Sequence, residues 1–140
     1  MNLLLDSSTI IFRFENPLSN SRIIFDLILE RKLNGVVSER AVEEVKKVLT
    51  YSKNEHFAYY IENTIRRNFK VVPLAGVERE MRKWRGRIKE KDLAHLATAK
   101  SLGLKYIVAL DRDFKPFKEY YTPKEFIEKI LKLKGFETDY

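Results

Sequence analysis

The chain contains no cysteine, and this absence excludes disulfide bonds and thiolate metal sites. Glycine is scarce, and none of the five glycines stands in a glycine-rich loop that could bind phosphate after a strand. The two histidines, His56 and His95, have no partner at zinc spacing, and the chain lacks a Gly-x-Ser-x-Gly elbow. Nucleotide binding through such a loop, serine-triad hydrolysis and zinc hydrolysis are therefore disfavoured.

Long apolar runs are missing as well. No segment approaches the roughly 20 apolar residues of a membrane-spanning helix. The first six residues lack the basic start of a signal peptide and end in Asp6. Together with the absence of cysteine, the 34% share of charged residues favours a soluble, cytoplasmic protein with no membrane segment.

Positive charge is in excess. Lys and Arg outnumber Asp and Glu by 27 to 20, which gives a net charge of +7 and a pI near 9.5. This balance favours a polyanionic partner such as nucleic acid, although a basic protein without such a partner can have the same composition. With 140 residues, 44% of them hydrophobic, we expect one globular domain over residues 1–140.

Short apolar runs alternate with segments of helical periodicity. The predicted strands cover residues 3–5, 36–37, 71–74 and 106–110, with helices between and after them. Asn34 and Gly35 are predicted to stop the helix that starts near Ser19, and a capping box at Thr122 to Glu125 is predicted to open the last helix. This alternation predicts an α/β fold of three layers, α/β/α, with a central, mainly parallel sheet of four to five strands.

Four acidic residues stand near the ends of these elements or on their helices. Asp6 and Asp111 each follow a predicted strand, Asp92 opens a helix, and Glu44 lies within one. Because ligands bind beyond the carboxyl ends of parallel strands, we expect the two strand-end aspartates to converge. Clustered carboxylates require a positive partner, and Mg²⁺ and Mn²⁺ prefer oxygen ligands. Each acid alone also has an ordinary explanation as a turn, cap or surface residue, and Glu43 is a rival to Glu44.

Four short motifs, taken together, resemble the successive motifs of PIN domains. They are LLLDSS at residues 3–8, VEEV at 42–45, DLAHLA at 92–97 and IVALDRDF at 107–114. Each motif is weak alone, but their order and separation span nearly the whole chain. The resemblance implies a metal-dependent ribonuclease fold, often found as the toxin of bacterial and archaeal toxin–antitoxin pairs and also in RNA-processing enzymes.

The resemblance also implies roles for individual residues. It assigns an acidic catalytic site that binds Mg²⁺ or Mn²⁺ to four residues, with a fifth acid as an auxiliary ligand: Asp6, Glu44, Asp92 and Asp111, then Asp113. Ser8 matches the small hydroxyl residue that the family has near the first aspartate, and His95 is expected to pack against the ligands or hydrogen-bond to them rather than act as a catalytic base. One departure is Ala109, where the family usually has Thr or Ser, and this removes one hydrogen bond from the site.

A basic stretch leads into Asp92 and includes Arg79, Lys89 and Lys91. Its central residues are candidates for binding RNA through phosphate neutralisation and stacking on the indole: Arg82, Lys83, Trp84, Arg85 and Arg87. The alternative is a solvated face that Trp84 anchors to the core, and for Trp84 this alternative is favoured.

The leading interpretation is a metal-dependent endoribonuclease of the toxin type, with RNA as substrate, an antitoxin as protein partner and a homodimeric assembly. One alternative is an RNA-processing nuclease without an antitoxin. A second is a catalytically silent nucleic-acid-binding module, which Ala109 supports and the four retained acids oppose.

Overall fold

A five-stranded sheet forms the centre of the computed structural model, which describes all residues from 1 to 140. In chain order the strands are β1 (Asn2–Leu5), β2 (Asn34–Ser38), β3 (Lys70–Val72), β4 (Ile107–Val108) and β5 (Tyr120–Tyr121). Their spatial order is β3-β2-β1-β4-β5, and every neighbouring pair is parallel. The predicted α/β fold with a parallel sheet is confirmed.

Helices connect and cover these strands. They are α1 (Ser7–Glu15), α2 (Asn20–Leu29), α3 (Glu39–Ser52), α4 (Glu55–Asn68), α5 (Glu78–Trp84), α6 (Glu90–Ser101) and α7 (Pro123–Glu125), which continues as a π-helical turn over Phe126–Ile130. The predicted capping box at the start of α7 is present, since Thr122 and Glu125 bond each other's backbone N–H. No helix combines the length and the apolar composition needed to cross a bilayer.

Both faces of the sheet are buried, which makes the domain three-layered. Along β1, the side chains of Leu3 and Leu5 join one apolar cluster, whereas Leu4 joins the other. The first cluster is completed by helices α1 to α4 and α7, and the second by α6 and the segments around it. This alternation follows from the two-residue period of a strand, which sends successive side chains to opposite faces.

The prediction that Asn34 and Gly35 stop a helix is wrong. Helix α2 ends at Leu29, the left-handed residue after it is Arg31 with φ of 64°, and Asn34 and Gly35 open strand β2. Glycine is required here for space rather than for a turn. A Cβ atom at Gly35 would lie 2.6 Å from ring carbons of Phe69.

The boundaries of the other strands also differ from the predictions. Strand β3 ends at Val72 because Pro73 has no N–H to donate, and Leu74 already begins a 3₁₀ turn. Strand β4 covers only Ile107 and Val108. The fifth strand, Tyr120–Tyr121, has no periodicity of its own that sequence reasoning could detect.

Candidate active site

The carboxyl ends of β1 and β4 lie side by side and position two of the acids. Leu5 pairs with Val108, and the backbone N–H of Asp6 donates to the carbonyl of Val108 at 3.1 Å. Asp6 also caps helix α1, since its Oδ2 accepts from the N–H and the hydroxyl of Ser8. The Asp6 side chain is buried and fixed at the junction of strand and helix, whereas Asp111 follows β4 and is half-buried.

Asp92 lies in the middle of the cluster. It is in the first turn of α6 and is 3% exposed. Its carboxylate lies with ligand atoms of Asp6 and His95 in one group, and with those of Asp111 and Asp113 in a second group. Within each group the atoms lie within 4.8 Å of one another. Asp6 and Asp111, which follow the two strands, thus each lie close to Asp92 on helix α6.

Glu44 reaches the same site from helix α3. Its Oε2 accepts from the hydroxyl of Ser7 at 2.6 Å, and its Oε1 lies 3.5 Å from Nε2 of His95. The rival Glu43 is exposed on the outer side of α3. Of the two adjacent glutamates, the structure therefore brings Glu44 to the cluster.

His95 is fully buried between the carboxylates and strand β2. Its Nε2 lies 3.4 Å from Oδ1 of Asp6 and 3.5 Å from Oε1 of Glu44, while its Nδ1 lies 2.7 Å from Oγ of Ser38. Oγ of Ser38 accepts from the N–H of Ala41, so its hydroxyl proton is free to be donated to Nδ1. We assign the proton of the neutral ring to Nε2, which faces two carboxylates, and a protonated ring carries it there as well. The proton on Nε2 therefore faces Asp6 and Glu44, but the ring forms a hydrogen bond to neither carboxylate.

Two lysines pair with the outer part of the cluster. The ammonium group of Lys91 lies 2.7 Å from Oδ2 of Asp111, 3.8 Å from Oδ2 of Asp92 and 3.9 Å from Oδ2 of Asp113. Lys89 lies 3.6 Å from the same oxygen of Asp113. Sequence reasoning placed both lysines in a basic stretch but missed that they bind the acids, because their side-chain directions depend on how α6 meets the sheet.

The carboxylates of the cluster differ in the direction of their pKa shifts. Burial, together with the negative charges of Asp6 and Asp111, raises the pKa of Asp92 to about 7. Partial burial also acts to raise the pKa of Asp111, but the hydrogen bond from Lys91 outweighs it and holds that pKa below the ordinary value. Near neutral pH, Asp92 is therefore the carboxylate that takes up or releases a proton.

The pKa values of His95 and Glu44 shift in opposite directions. Burial acts to lower the pKa of His95, but the approach of Glu44 and the charges of Asp6 and Asp92 outweigh it and raise that pKa. Partial burial acts to raise the pKa of Glu44, and this is outweighed by the approach of His95 and the hydrogen bond from Ser7, so the pKa is lowered. The pair consequently favours the charged forms of both side chains.

The donor set fits a hard divalent cation. Four buried side-chain atoms of the cluster have no hydrogen-bond partner: Oδ1 of Asp6, Oδ2 of Asp92, Nε2 of His95 and Oδ2 of Asp113. Orphaned buried polar atoms are costly, and buried carboxylate oxygens that repel each other are stabilised by a cation. The carboxylates offer the oxygen ligands that Mg²⁺ and Mn²⁺ prefer, and the proton on Nε2 makes His95 a neighbour of the cation rather than a ligand.

Ser8 joins the two strand ends. Its hydroxyl donates to Oδ2 of Asp6 and accepts from the N–H of Leu110 at 3.2 Å. Ala109 is fully buried in the second apolar cluster, so position 109 contributes no hydroxyl to the site. Ser8 therefore provides a side-chain link between the first and fourth motifs.

The indole of Trp84 lies away from the carboxylates. Its ring packs edge-on against Phe117 with centroids 5.8 Å apart, its Nε1 donates to Glu80, and Lys100 lies over it at 4.8 Å. Lys100 follows Asp92 by eight residues on α6, a rise of about 12 Å. These contacts agree with the interpretation of Trp84 as an anchor to the second cluster.

The other candidates for RNA contact lie on the surface. Arg85 pairs with Glu90 at 3.2 Å, and the guanidinium of Arg87 lies 4.9 Å from the centre of the indole ring. Arg82 and Lys83 are exposed. The structure brings none of these four side chains into a hydrogen bond with the acidic cluster.

These features define a class of protein, an α/β domain that gathers carboxylates from two strand ends and two helices at one edge of a parallel sheet. The sequence model of the PIN domain matches residues 3–120. The chain therefore belongs to the PIN domain family.

Solved structures of toxin–antitoxin proteins share this fold. The VapBC structure from Salmonella typhimurium bound to DNA has a TM-score of 0.70 at 17% identity, covering 88% of this chain and 98% of that one. VapBC2 from Rickettsia felis, bound to a promoter DNA fragment, has a TM-score of 0.68 at 12% identity and covers 87% and 97%. VapC20 from Mycobacterium tuberculosis, a toxin that cleaves the sarcin–ricin loop, has a TM-score of 0.63 at 16% identity and covers 81% and 93%. Comparison with curated proteins gave no match.

Proposed function

We propose that this protein is an endoribonuclease that uses Mg²⁺ or Mn²⁺ to hydrolyse RNA phosphodiesters, and that it is the toxin of a toxin–antitoxin pair. The observation that supports this most is the position of Asp92, which is buried between Asp6 on one side and Asp111 on the other and whose Oδ2 has no hydrogen bond. Membership of the PIN domain family supports the same chemistry.

Four carboxylates would hold the cation in this proposal, namely Asp6, Glu44, Asp92 and Asp111, with Asp113 as an auxiliary ligand. A divalent cation bound there supplies a water of lowered pKa and offsets negative charge on the phosphate. Neighbouring hydroxyls orient these ligands, since Ser8 donates a hydrogen bond to Asp6 and Ser7 donates one to Glu44. The positive edge of the His95 ring lies 3.4 Å from Asp6 and 3.5 Å from Glu44 and reduces their mutual repulsion.

RNA would approach over the basic surface of α5 and the start of α6. The overall charge of +7 favours a polyanion, and the exposed side chains of Arg82, Lys83, Arg85 and Arg87 can neutralise phosphates. In the proposal Trp84 supports these cations by holding the segment on the core, and it stacks on a base only at its exposed part.

The protein partner in this proposal is an antitoxin, and the assembly is a homodimer in the cytoplasm. The similar solved structures include VapBC complexes, which supports an antitoxin for this chain too. A variant of the proposal is an RNA-processing nuclease with the same chemistry and no antitoxin. The two are separated by the presence or absence of a small open reading frame that adjoins this one and whose product binds the chain.

A second candidate is a silent nucleic-acid-binding module, which the missing hydroxyl at Ala109 favours. The test is cleavage of single-stranded RNA by the purified protein in Mg²⁺ or Mn²⁺, with EDTA as a stop and with Asp6→Asn and Asp92→Asn as variants. We expect cleavage that EDTA and either substitution abolish, with the circular dichroism of the fold retained. Equal cleavage by both variants and wild type would refute the carboxylate site, and RNA binding without cleavage would favour the silent module.

A further inference from the structure

The acidic site is divided into two halves that share Asp92. The inner half joins Asp92 to Asp6 and His95, all of them buried, and the outer half joins it to Asp111 and Asp113, which are half-buried. In each half the grouped side-chain atoms lie within 4.8 Å of one another, which is close enough for them to surround a single cation. On the carboxylates alone, the site has room for one divalent cation in each half.

Only the outer half contains a lysine ammonium group. The ammonium group of Lys91 lies within 4.0 Å of Asp92, Asp111 and Asp113, and it donates a hydrogen bond to Asp111 at 2.7 Å. Lys89 adds a second ammonium group 3.6 Å from Asp113.

No lysine or arginine pairs with the inner aspartate. Oδ1 of Asp6 has no hydrogen bond, and its nearest cationic partner is the ring of His95 at 3.4 Å. The inner half therefore has only the titratable ring of His95 as a counter-ion, whereas the outer half has the ammonium group of Lys91, which stays charged at neutral pH.

We propose that Lys91 takes the place of a second metal ion, so that the site binds one divalent cation per chain in its inner half while the Lys91 ammonium group occupies the outer half. The inference rests on the proposed function, because it concerns the cation on which that function depends. In this proposal the ammonium group of Lys91 is one of the charged groups that contact the substrate.

The position of Lys91 in the chain fixes its backbone beside the outer half. Lys91 immediately precedes Asp92, and the turn that places both is closed by a hydrogen bond of 2.9 Å from the N–H of Asp92 to the carbonyl of Lys89. A second divalent cation would have to break the charged hydrogen bond to Asp111 and approach an ammonium group of like charge. Lys91 thus lowers the affinity of the outer half for metal.

Lys91 can also contact the substrate. An ammonium group has three N–H donors, and Lys91 uses one of them on Asp111. Its side chain is 62% exposed, so the remaining donors are accessible to a phosphate oxygen. In this arrangement the lysine offsets charge on the phosphate that a second metal ion would otherwise offset.

The test measures how many Mn²⁺ ions each chain binds, by calorimetry and by electron paramagnetic resonance of free Mn²⁺. Wild type is compared with Lys91→Met and Lys91→Gln, which remove the charge, and with Lys91→Arg, which keeps it. Lys89→Gln is the matched control, since Lys89 is equally exposed but pairs only with Asp113. We expect one ion in wild type, Lys91→Arg and Lys89→Gln, and two in Lys91→Met and Lys91→Gln.

Two ions in wild type, or one ion in both charge-removing variants, would overturn the role of Lys91 and leave the proposed function standing. No ion in wild type, together with no cleavage of RNA, would instead refute the proposed function itself. Because Lys91 is exposed, its substitution is expected to preserve the fold, and circular dichroism and thermal unfolding of each variant verify this.

Discussion

Ser38 and His95 form a buried hydrogen bond of 2.7 Å between the end of β2 and the middle of α6. The same hydroxyl oxygen caps helix α3 by accepting from the N–H of Ala41. One side chain therefore starts the helix that carries Glu44 and also orients the ring that faces Glu44 and Asp6.

Replacing Ser38 with Ala is expected to affect both stability and metal binding. Loss of the helix cap costs about 1 kcal/mol in the free energy of unfolding. The unsatisfied Nδ1 of the buried His95 costs roughly 1 to 3 kcal/mol more. Because the ring loses its fixed tautomer beside Asp6 and Glu44, we also expect Mn²⁺ affinity to fall by up to about tenfold, the low end of the range for residues that orient metal ligands. Urea unfolding and calorimetric titration with Mn²⁺ measure the two effects.

Ser19→Ala is the matched control. Ser19 is also a buried serine that caps a helix, accepting from the N–H of Arg22, but it has no contact with the acidic site. It should lose only the cap energy and keep its affinity for Mn²⁺. If Ser38→Ala and Ser19→Ala have the same stability and the same Mn²⁺ affinity, the positioning role of Ser38 is wrong.

The adjacent glutamates of α3 allow a test of which one serves the site. Glu44→Gln is expected to weaken Mn²⁺ binding by at least about tenfold and to reduce cleavage, since it removes a charge 3.5 Å from His95. Glu43→Gln makes the same chemical change on the exposed side of the helix and should behave like wild type. Equal losses in the two variants would count against Glu44 as a site residue. Calorimetry and an RNA cleavage assay provide the comparison.

The sequence predicted the parts of this site that follow from backbone rules. Asp6 and Asp111 were expected to converge because parallel strands end at one edge, and Glu44 was preferred to Glu43 because it lies nearer the apolar stripe of its helix. The contacts of Lys91 and Ser38 could not be predicted. They depend on the direction of side chains between elements far apart in sequence, which periodicity does not specify.

The raised pKa of Asp92 predicts how the metal-free protein responds to pH. The folded pKa of about 7 lies above the ordinary value of 3.8, so the folded state binds more protons than the unfolded state between these values. Its contribution to stability is complete below pH 4 and is lost as the pH rises through 7. Each pKa unit corresponds to about 1.4 kcal/mol, so the loss amounts to a few kcal/mol at most. His95, whose pKa is also raised, adds a loss in the same direction near neutral pH.

Urea unfolding in EDTA from pH 5 to pH 8 should therefore show the free energy of unfolding decreasing. Asp92→Asn removes this titrating group and should flatten the profile, leaving the contribution of His95. Saturating Mn²⁺ should flatten the profile of wild type too, because the cation stabilises the ionised carboxylate. A slope that Asp92→Asn leaves unchanged would show that another group carries the pH dependence.

The exposed arginines of the α5 segment are expected to contribute to RNA affinity through charge alone. Reversing three of them with Arg82→Glu, Arg85→Glu and Arg87→Glu should weaken binding to single-stranded RNA of any sequence. The slope of log affinity against log salt is negative, and each lost phosphate contact reduces its magnitude by about 0.7 for single strands. The loss of three contacts therefore reduces the magnitude by about 2. Fluorescence anisotropy with labelled RNA over a range of salt concentrations measures this slope.

The necessary control is a second triple that changes the net charge by the same amount on another surface. Lys129, Lys132 and Lys134 are exposed near the carboxyl end of the chain, and their reversal to Glu leaves the α5 segment intact. If RNA binds over α5, this triple should weaken binding through the reduced net charge but retain the steeper salt slope of wild type. If both triples reduce the magnitude of the slope equally, the arginines act only through the overall charge of the protein. RNA would then bind to another part of the surface.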